Sequence, residues 1–351
     1  MHSNILKSSL AMTIFAAISS TILPVQAALL VSSSGDNSIK QYDEITGAYI
    51  RDFVTAGSGG LSSPNGLDVG LNGNLFVSSR GTNSVKEYSG TTGEYVGDFV
   101  SFDDGLRSPI GLTFAEDGSL FVVGDTPVPS DNVLRSGFFQ YDGNTGELLS
   151  STLTGARGFS SAPIDVVVGG LDNTIFISQS RFRFNSGSVD EFNPITGVPI
   201  FRDYINSDPS VTNIDPRGLA ITDNFLYYTD NASIGRFDLI NNVIDPRFVD
   251  VSSGGLTRAL DVAIGANGNL FVSDSASDSV KQYDGATGNF LGDFVTSSSG
   301  GLSSPTYLTT ANVPVPEPSS VLGIAALGGL FVGGAWQRKA NRRKQLNFLQ
   351  K

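Results

Sequence analysis

Short apolar runs recur along the chain with turn residues between them. Leu29-Leu30-Val31-Ser32, Leu75-Phe76-Val77-Ser78, Leu120-Phe121-Val122, Ile175-Phe176-Ile177-Ser178, Leu226-Tyr227-Tyr228-Thr229 and Leu270-Phe271-Val272-Ser273 are each rich in β-branched or aromatic residues. Runs this short and of this composition predict strands. An aromatic follows each run, at Tyr42, Tyr88, Tyr141, Phe192, Phe237 and Tyr283. Four residues later stands Thr-Gly, replaced once by Asn241-Asn242. Glycine takes positive φ without a Cβ clash and asparagine is the next most tolerant residue, so the pair predicts a hairpin turn between two strands.

Two further columns complete the unit. Pro64-Asn65-Gly66-Leu67, Pro109-Ile110-Gly111-Leu112, Pro163-Ile164-Asp165-Val166, Pro216-Arg217-Gly218-Leu219, Thr257-Arg258-Ala259-Leu260 and Pro305-Thr306-Tyr307-Leu308 predict opening strands. A closing strand carries Phe53, Phe99, Phe248 or Phe294, eleven residues after the aromatic. Four strands in a repeat of this length make a propeller blade. Six such sets predict an all-β, six-bladed β-propeller. The chain enters at a second strand and ends on a lone opening strand, so one blade is assembled from both ends. The linker Ser58-Gly59-Gly60-Leu61-Ser62-Ser63-Pro64 returns as Ser299-Gly300-Gly301-Leu302-Ser303-Ser304-Pro305, which fits that closure. Closing the ring leaves no long exposed edge strand.

The ends have a different pattern. Lys7, the apolar stretch Leu10 to Leu23 and Val25-Gln26-Ala27 predict a secretory signal cleaved after Ala27. Near the other end, Pro316-Glu317-Pro318 precedes an uncharged apolar run, Val321 to Trp336, and then Arg338, Lys339, Arg342, Arg343 and Lys344. As a helix, that run spans about 24 Å, slightly short of a bilayer core of about 30 Å. The basic cluster would stay on the cytoplasmic side, placing the body outside. The expected divisions are 1–27 signal, 28–312 propeller and 313–351 sorting tail.

This tail resembles the PEP-CTERM sorting signal of bacterial exported proteins. The resemblance implies an exosortase-type processing peptidase as partner, transient membrane anchoring through the C-terminal segment, and delivery to the cell surface or extracellular matrix. The repeats resemble those of NHL-type six-bladed propellers, through Pro-x-Gly-Leu, Asn-Gly-Asn-Leu-Phe-Val-Ser and Ser-Val-Lys-x-Tyr. That likeness implies the architecture and leaves the activity open, because such propellers host enzymes and binders alike.

Composition narrows the chemistry. The chain has no cysteine, and its one histidine is His2, inside the predicted signal. Thiolate metal sites, cysteine nucleophiles and Ser–His triads are therefore excluded from the body. The formal charge of −12 argues against nucleic acid as a partner. Seven of the 22 basic residues and one of the 34 acids lie in the predicted end segments, so the body carries about −18.

Two candidate sites follow. From second-strand to third-strand aromatic the spacing is 16 residues between Phe176 and Phe192 and 20 between Phe121 and Tyr141, against 12 in the regular blades. These insertions fall on one face of blades two and three, as binding loops do on rigid repeats. One contains Arg181, Phe182, Arg183 and Phe184; with Arg135 and Arg157 it could bind anionic or stacking groups of an extracellular polysaccharide or surface protein. A hairpin extension with packed phenylalanines and locally paired arginines is the alternative. The second candidate is a calcium site of Asp68, Asp165 and Asp261 near the channel, with Asp68 and Asp261 read as one column. Calcium-dependent sugar lactonases share the six-bladed fold, so a lactonase or hydrolase is the alternative function. The expectation is otherwise a non-enzymatic binding or structural module without a cofactor.

Overall fold

The computed structural model describes residues 25–127, 134–156, 162–170, 172–180, 187–194, 196–201, 205 and 214–314. They form six four-stranded antiparallel sheets. The innermost strands are Pro64–Val69, Leu112–Phe114, Ala162–Gly169, Pro216–Ile221, Ala259–Ile264 and Pro305–Pro314, in blades one to six. Each neighbours the next, and Pro305–Pro314 touches both Ala259–Ile264 and Pro64–Val69, so the ring is closed. Blade six joins the two ends of the body: Pro305–Pro314 pairs with Val25–Ser33, followed outward by Ser38–Asp43 and Tyr49–Val54. The pairing runs from Val25↔Pro314, so the sheet takes in three residues upstream of the expected cleavage point.

Alternation along each strand explains the stacking. Successive side chains point to opposite faces of a sheet, and here both faces are covered by neighbouring blades. Leu75 and Val77 enter the hydrophobic cluster between blades six and one, while Phe76 enters the cluster between blades one and two. Six such clusters are found, one at each junction between neighbouring blades. Phe76 also meets Phe114 of blade two edge-on, with centroids 4.9 Å apart.

The Thr-Gly column is an Asx turn. Asp43 Oδ1 accepts hydrogen bonds from the Ile45 and Thr46 amides and the Thr46 hydroxyl, at 3.0, 2.8 and 2.9 Å. The same contacts hold the exposed carboxyls of Asp142 and Asp284 below the usual range. Gly47 has φ 70°, and a Cβ there would meet the carbonyl of Phe294 in the preceding blade. Glycine is therefore required twice, by conformation and by the neighbouring outer strand.

The Ser-Gly-Gly linkers are clasped from below. Tyr88, Tyr283 and Tyr42 donate to the carbonyls of Ser58, Ser253 and Ser299, at 3.0, 2.9 and 2.9 Å. Beside them, buried Lys86, Lys281 and Lys40 pair with Asp98, Asp293 and Asp52 of the adjacent outer strands at 2.6, 2.8 and 2.8 Å. Blades five, six and one form this regular half of the ring.

Candidate functional site

The inner strands line the axis, and bulges near their starts set which residues face it. Asp165 pairs with Ser178 and Asp261 with Ser273, the same position of the second-strand run. Asp165 and Asp261 therefore share one column with Gly66, Gly111, Gly218 and Tyr307. This corrects the sequence alignment: Ala259, not Thr257, takes the place proline holds in the other blades. Asp68 pairs with Phe76 and lies two residues further along its strand.

The three carboxylates come from alternate blades, and each stitches its blade to the next. Asp68 of blade one accepts from the Phe114 amide at 2.9 Å, Asp165 of blade three from the Leu219 amide at 2.8 Å, and Asp261 of blade five from the Leu308 amide at 2.9 Å. A Cβ on Gly111 or Gly218 would strike Asp165 or Asp261 respectively, so the glycines make the room that the acids fill. Among the described residues, no group of three or more His, Cys, Asp or Glu side chains could hold a metal ion. Each acid thus reaches sideways to an amide of the neighbouring blade.

Burial raises all three carboxyls. Asp261 is pushed up to about 8, and Asp165 is held well above the usual range by burial and then by Asp261 beside it. Two neighbouring buried carboxyls do not both ionise near neutrality. Near both lies Tyr307 of blade six, whose hydroxyl donates to the Ile164 carbonyl of blade three at 2.8 Å. Burial, followed by the two carboxylates, raises this phenol as well. Blades six and three are opposite, so the side chain spans the axis. Tyr307 lines the cavities on both sides of itself and divides the channel.

Below Tyr307 is a cavity of about 220 Å³ that contains the three acids. Above it is an open cavity of about 700 Å³, formed by the inner-strand starts and the second-to-third-strand loops. Arg80, Arg217 and Arg258 line this upper cavity, and among the described residues no carboxylate does. Arg80 follows the second strand of blade one, where its amide donates to the Ser63 carbonyl at 3.3 Å. Arg258 is set by Asp274, which accepts from the Thr257 and Arg258 amides at 3.1 and 2.9 Å. Burial alone would raise Asp274, but these contacts with those of Thr257 and Ser277 hold it low and charged. Arg217 pairs with Asp215 at 2.9 Å, both about one-third exposed.

Arg135 stands in the third strand of blade two, paired with Thr126 and Ala156, and does not line this cavity. Arg181, Phe182, Arg183, Phe184 and Arg157 lie outside the described residues. So do Pro316, Glu317, Pro318 and the apolar run after them. Among the described residues no helix is long and apolar enough to cross a membrane. Sequence reading missed the three cavity arginines and Tyr307. Arg217, Arg258 and Tyr307 stand in the opening-strand column, whose acids alone were candidates in the sequence.

A family model described as the PEP-CTERM protein-sorting motif matches residues 314–339. The motif marks the chain for export, transient membrane anchoring and processing by an exosortase, a membrane peptidase, and then for a surface-associated or extracellular place. No curated protein sequence matches at a significant level. Solved structures share the fold. A chain of a nidogen/laminin complex is 14% identical with a TM-score of 0.59, covering 81% of this chain and 98% of that one. A protein of unknown function from Bacteroides caccae is 15% identical with a TM-score of 0.58, covering 82% and 99%. A gluconolactonase from Xanthomonas campestris is 16% identical with a TM-score of 0.50, covering 78% and 89%. At these identities the likeness is one of fold alone.

Proposed function

We propose that this exported chain is a surface or matrix binding module, whose rigid ring presents its upper face to an extracellular polysaccharide. The observation that carries the reading is the upper cavity: it is open, closed below by Tyr307, and lined by three arginines in an acidic protein. Concave sites with a few convergent polar groups are the usual binding places of small ligands and chain segments. The carboxylates that an acid–base or calcium mechanism would use lie beneath Tyr307, each engaged with a backbone amide. That arrangement favours binding over hydrolysis.

The test uses the full chain in mild detergent on an array of bacterial and plant polysaccharides, together with lactone hydrolysis with and without EDTA. Retention on a polysaccharide, without EDTA-sensitive hydrolysis, is expected. Retention of surface protein alone, or EDTA-sensitive turnover of a lactone, contradicts the reading.

A further inference from the structure

We infer that the upper cavity recognises a carboxylate-bearing saccharide, with Arg80, Arg217 and Arg258 as the groups that select the acid. This rests on the binding reading above and names its ligand class. The body is acidic, so its long-range field repels anions. A cavity lined by three arginines and, among the described residues, by no carboxylate reverses that sign locally. The arginines come from blades one, four and five, and blades one and four are opposite each other across the mouth. A chain lying over the mouth would therefore meet a cation on each side. Among the described residues, the guanidinium groups of Arg80 and Arg258 make no hydrogen bond or ion pair, so both are available to a ligand.

The remaining wall is suited to a sugar. The hydroxyls of Ser63, Ser108 and Ser304 line the cavity and make no hydrogen bond among the described residues. Hydroxyls both donate and accept, as sugar hydroxyls require. A planar carboxylate matches the guanidinium fork through two parallel hydrogen bonds. Stacked bases would need an exposed aromatic platform. Tyr307, the one aromatic ring on this wall among the described residues, is only 7% exposed and already donates its hydroxyl to Ile164. Asp215 competes with the ligand for Arg217, so its charge lowers affinity.

The probe is trigalacturonate, with its fully methyl-esterified form as the neutral control, titrated calorimetrically into the full chain. The acidic form is expected to bind at least about tenfold more tightly than the ester, and less tightly as salt rises. Arg80→Gln with Arg258→Gln should lower affinity for the acid by about tenfold or more while leaving the melting temperature in place, since both side chains are exposed. Asp215→Asn should raise affinity severalfold, an effect that a folding defect cannot produce. Equal binding of acid and ester, or affinity unmoved by the arginine changes, overturns the inference. Capture of a neutral polysaccharide with no affinity for the acid overturns it while the binding function stands. Capture of no polysaccharide at all overturns both.

Discussion

The hydroxyl of Tyr307 donates a 2.8 Å hydrogen bond to the carbonyl of Ile164, joining blade six to the blade opposite it. The contact converts a ring with an axial channel into a dish with a floor. It separates the acids below from the arginines above, and the functional reading depends on that separation.

Replacing Tyr307 tests the floor. Tyr307→Phe removes one hydrogen bond, but the Ile164 carbonyl still accepts from the Gly111 amide at 3.1 Å. The expected loss is about 1 kcal/mol. Tyr307→Ala empties the axis and should cost about 3–5 kcal/mol. Denaturant unfolding of both variants measures the difference, and similar losses would show that the ring is not a packing element.

Asp261 makes stability depend on pH. Its folded pKa of about 8 lies above the ordinary carboxyl range, so between about pH 4 and 8 the folded protein holds more protons than the unfolded chain. This group's contribution therefore falls as pH rises through that window. Asp36 and Asp274 are held low and act in the opposite sense, losing stability as pH falls. Asp261→Asn stays neutral and can still accept from the Leu308 amide. Relative to the parent, the variant should gain stability between pH 5 and 8, an order-of-magnitude window set by linkage. Melting temperatures across that range provide the check; a parallel pair of curves would contradict the assignment.

The ring was legible because its columns answer to local physics. Thr46-Gly47 marks a turn that needs positive φ, and Leu75-Phe76-Val77 alternates between two covered faces. The repeated linkers before Pro64 and Pro305 showed how the ends meet. The site was less legible because bulges interrupt that alternation. Thr257 was aligned with the prolines, although Ala259 occupies that place, so Asp261 was put beside Asp68 instead of Asp165. Arg80, Arg217 and Arg258 stand far apart in sequence and at different offsets from their strands. Only ring closure brings them to one wall, and no single blade carries the pattern.

The buried lysines distinguish pairs from triads. Lys86 is paired with Asp98, whereas Lys40 reaches both Asp36 and Asp52 at 2.8 Å. Asp98→Ala leaves a buried ammonium without its carboxylate and should cost about 1–3 kcal/mol, reduced from the fully buried case because Asp98 is partly exposed. Asp52→Ala should cost less, since Asp36 remains. Equal losses in chemical denaturation would mean that the second partner adds nothing.

The sorting motif predicts a processing phenotype. Changing Pro316, Glu317 and Pro318 to alanine should leave the unprocessed chain in the membrane fraction, while the parent appears at the surface or outside at a lower mass. Mass spectrometry of each fraction gives the answer. Normal trimming of the triple variant would contradict recognition through this motif.

Hydrogen exchange tests the central claim most directly, because slowed exchange reports where a ligand orders or covers backbone. The full chain is compared with and without a retained polysaccharide. The account predicts slowing concentrated around Ser63–Asn65, Arg80–Gly81 and Arg258–Leu260, on the wall above Tyr307. Slowing confined to the opposite face, at the turns 70–74 and 115–119, would contradict it.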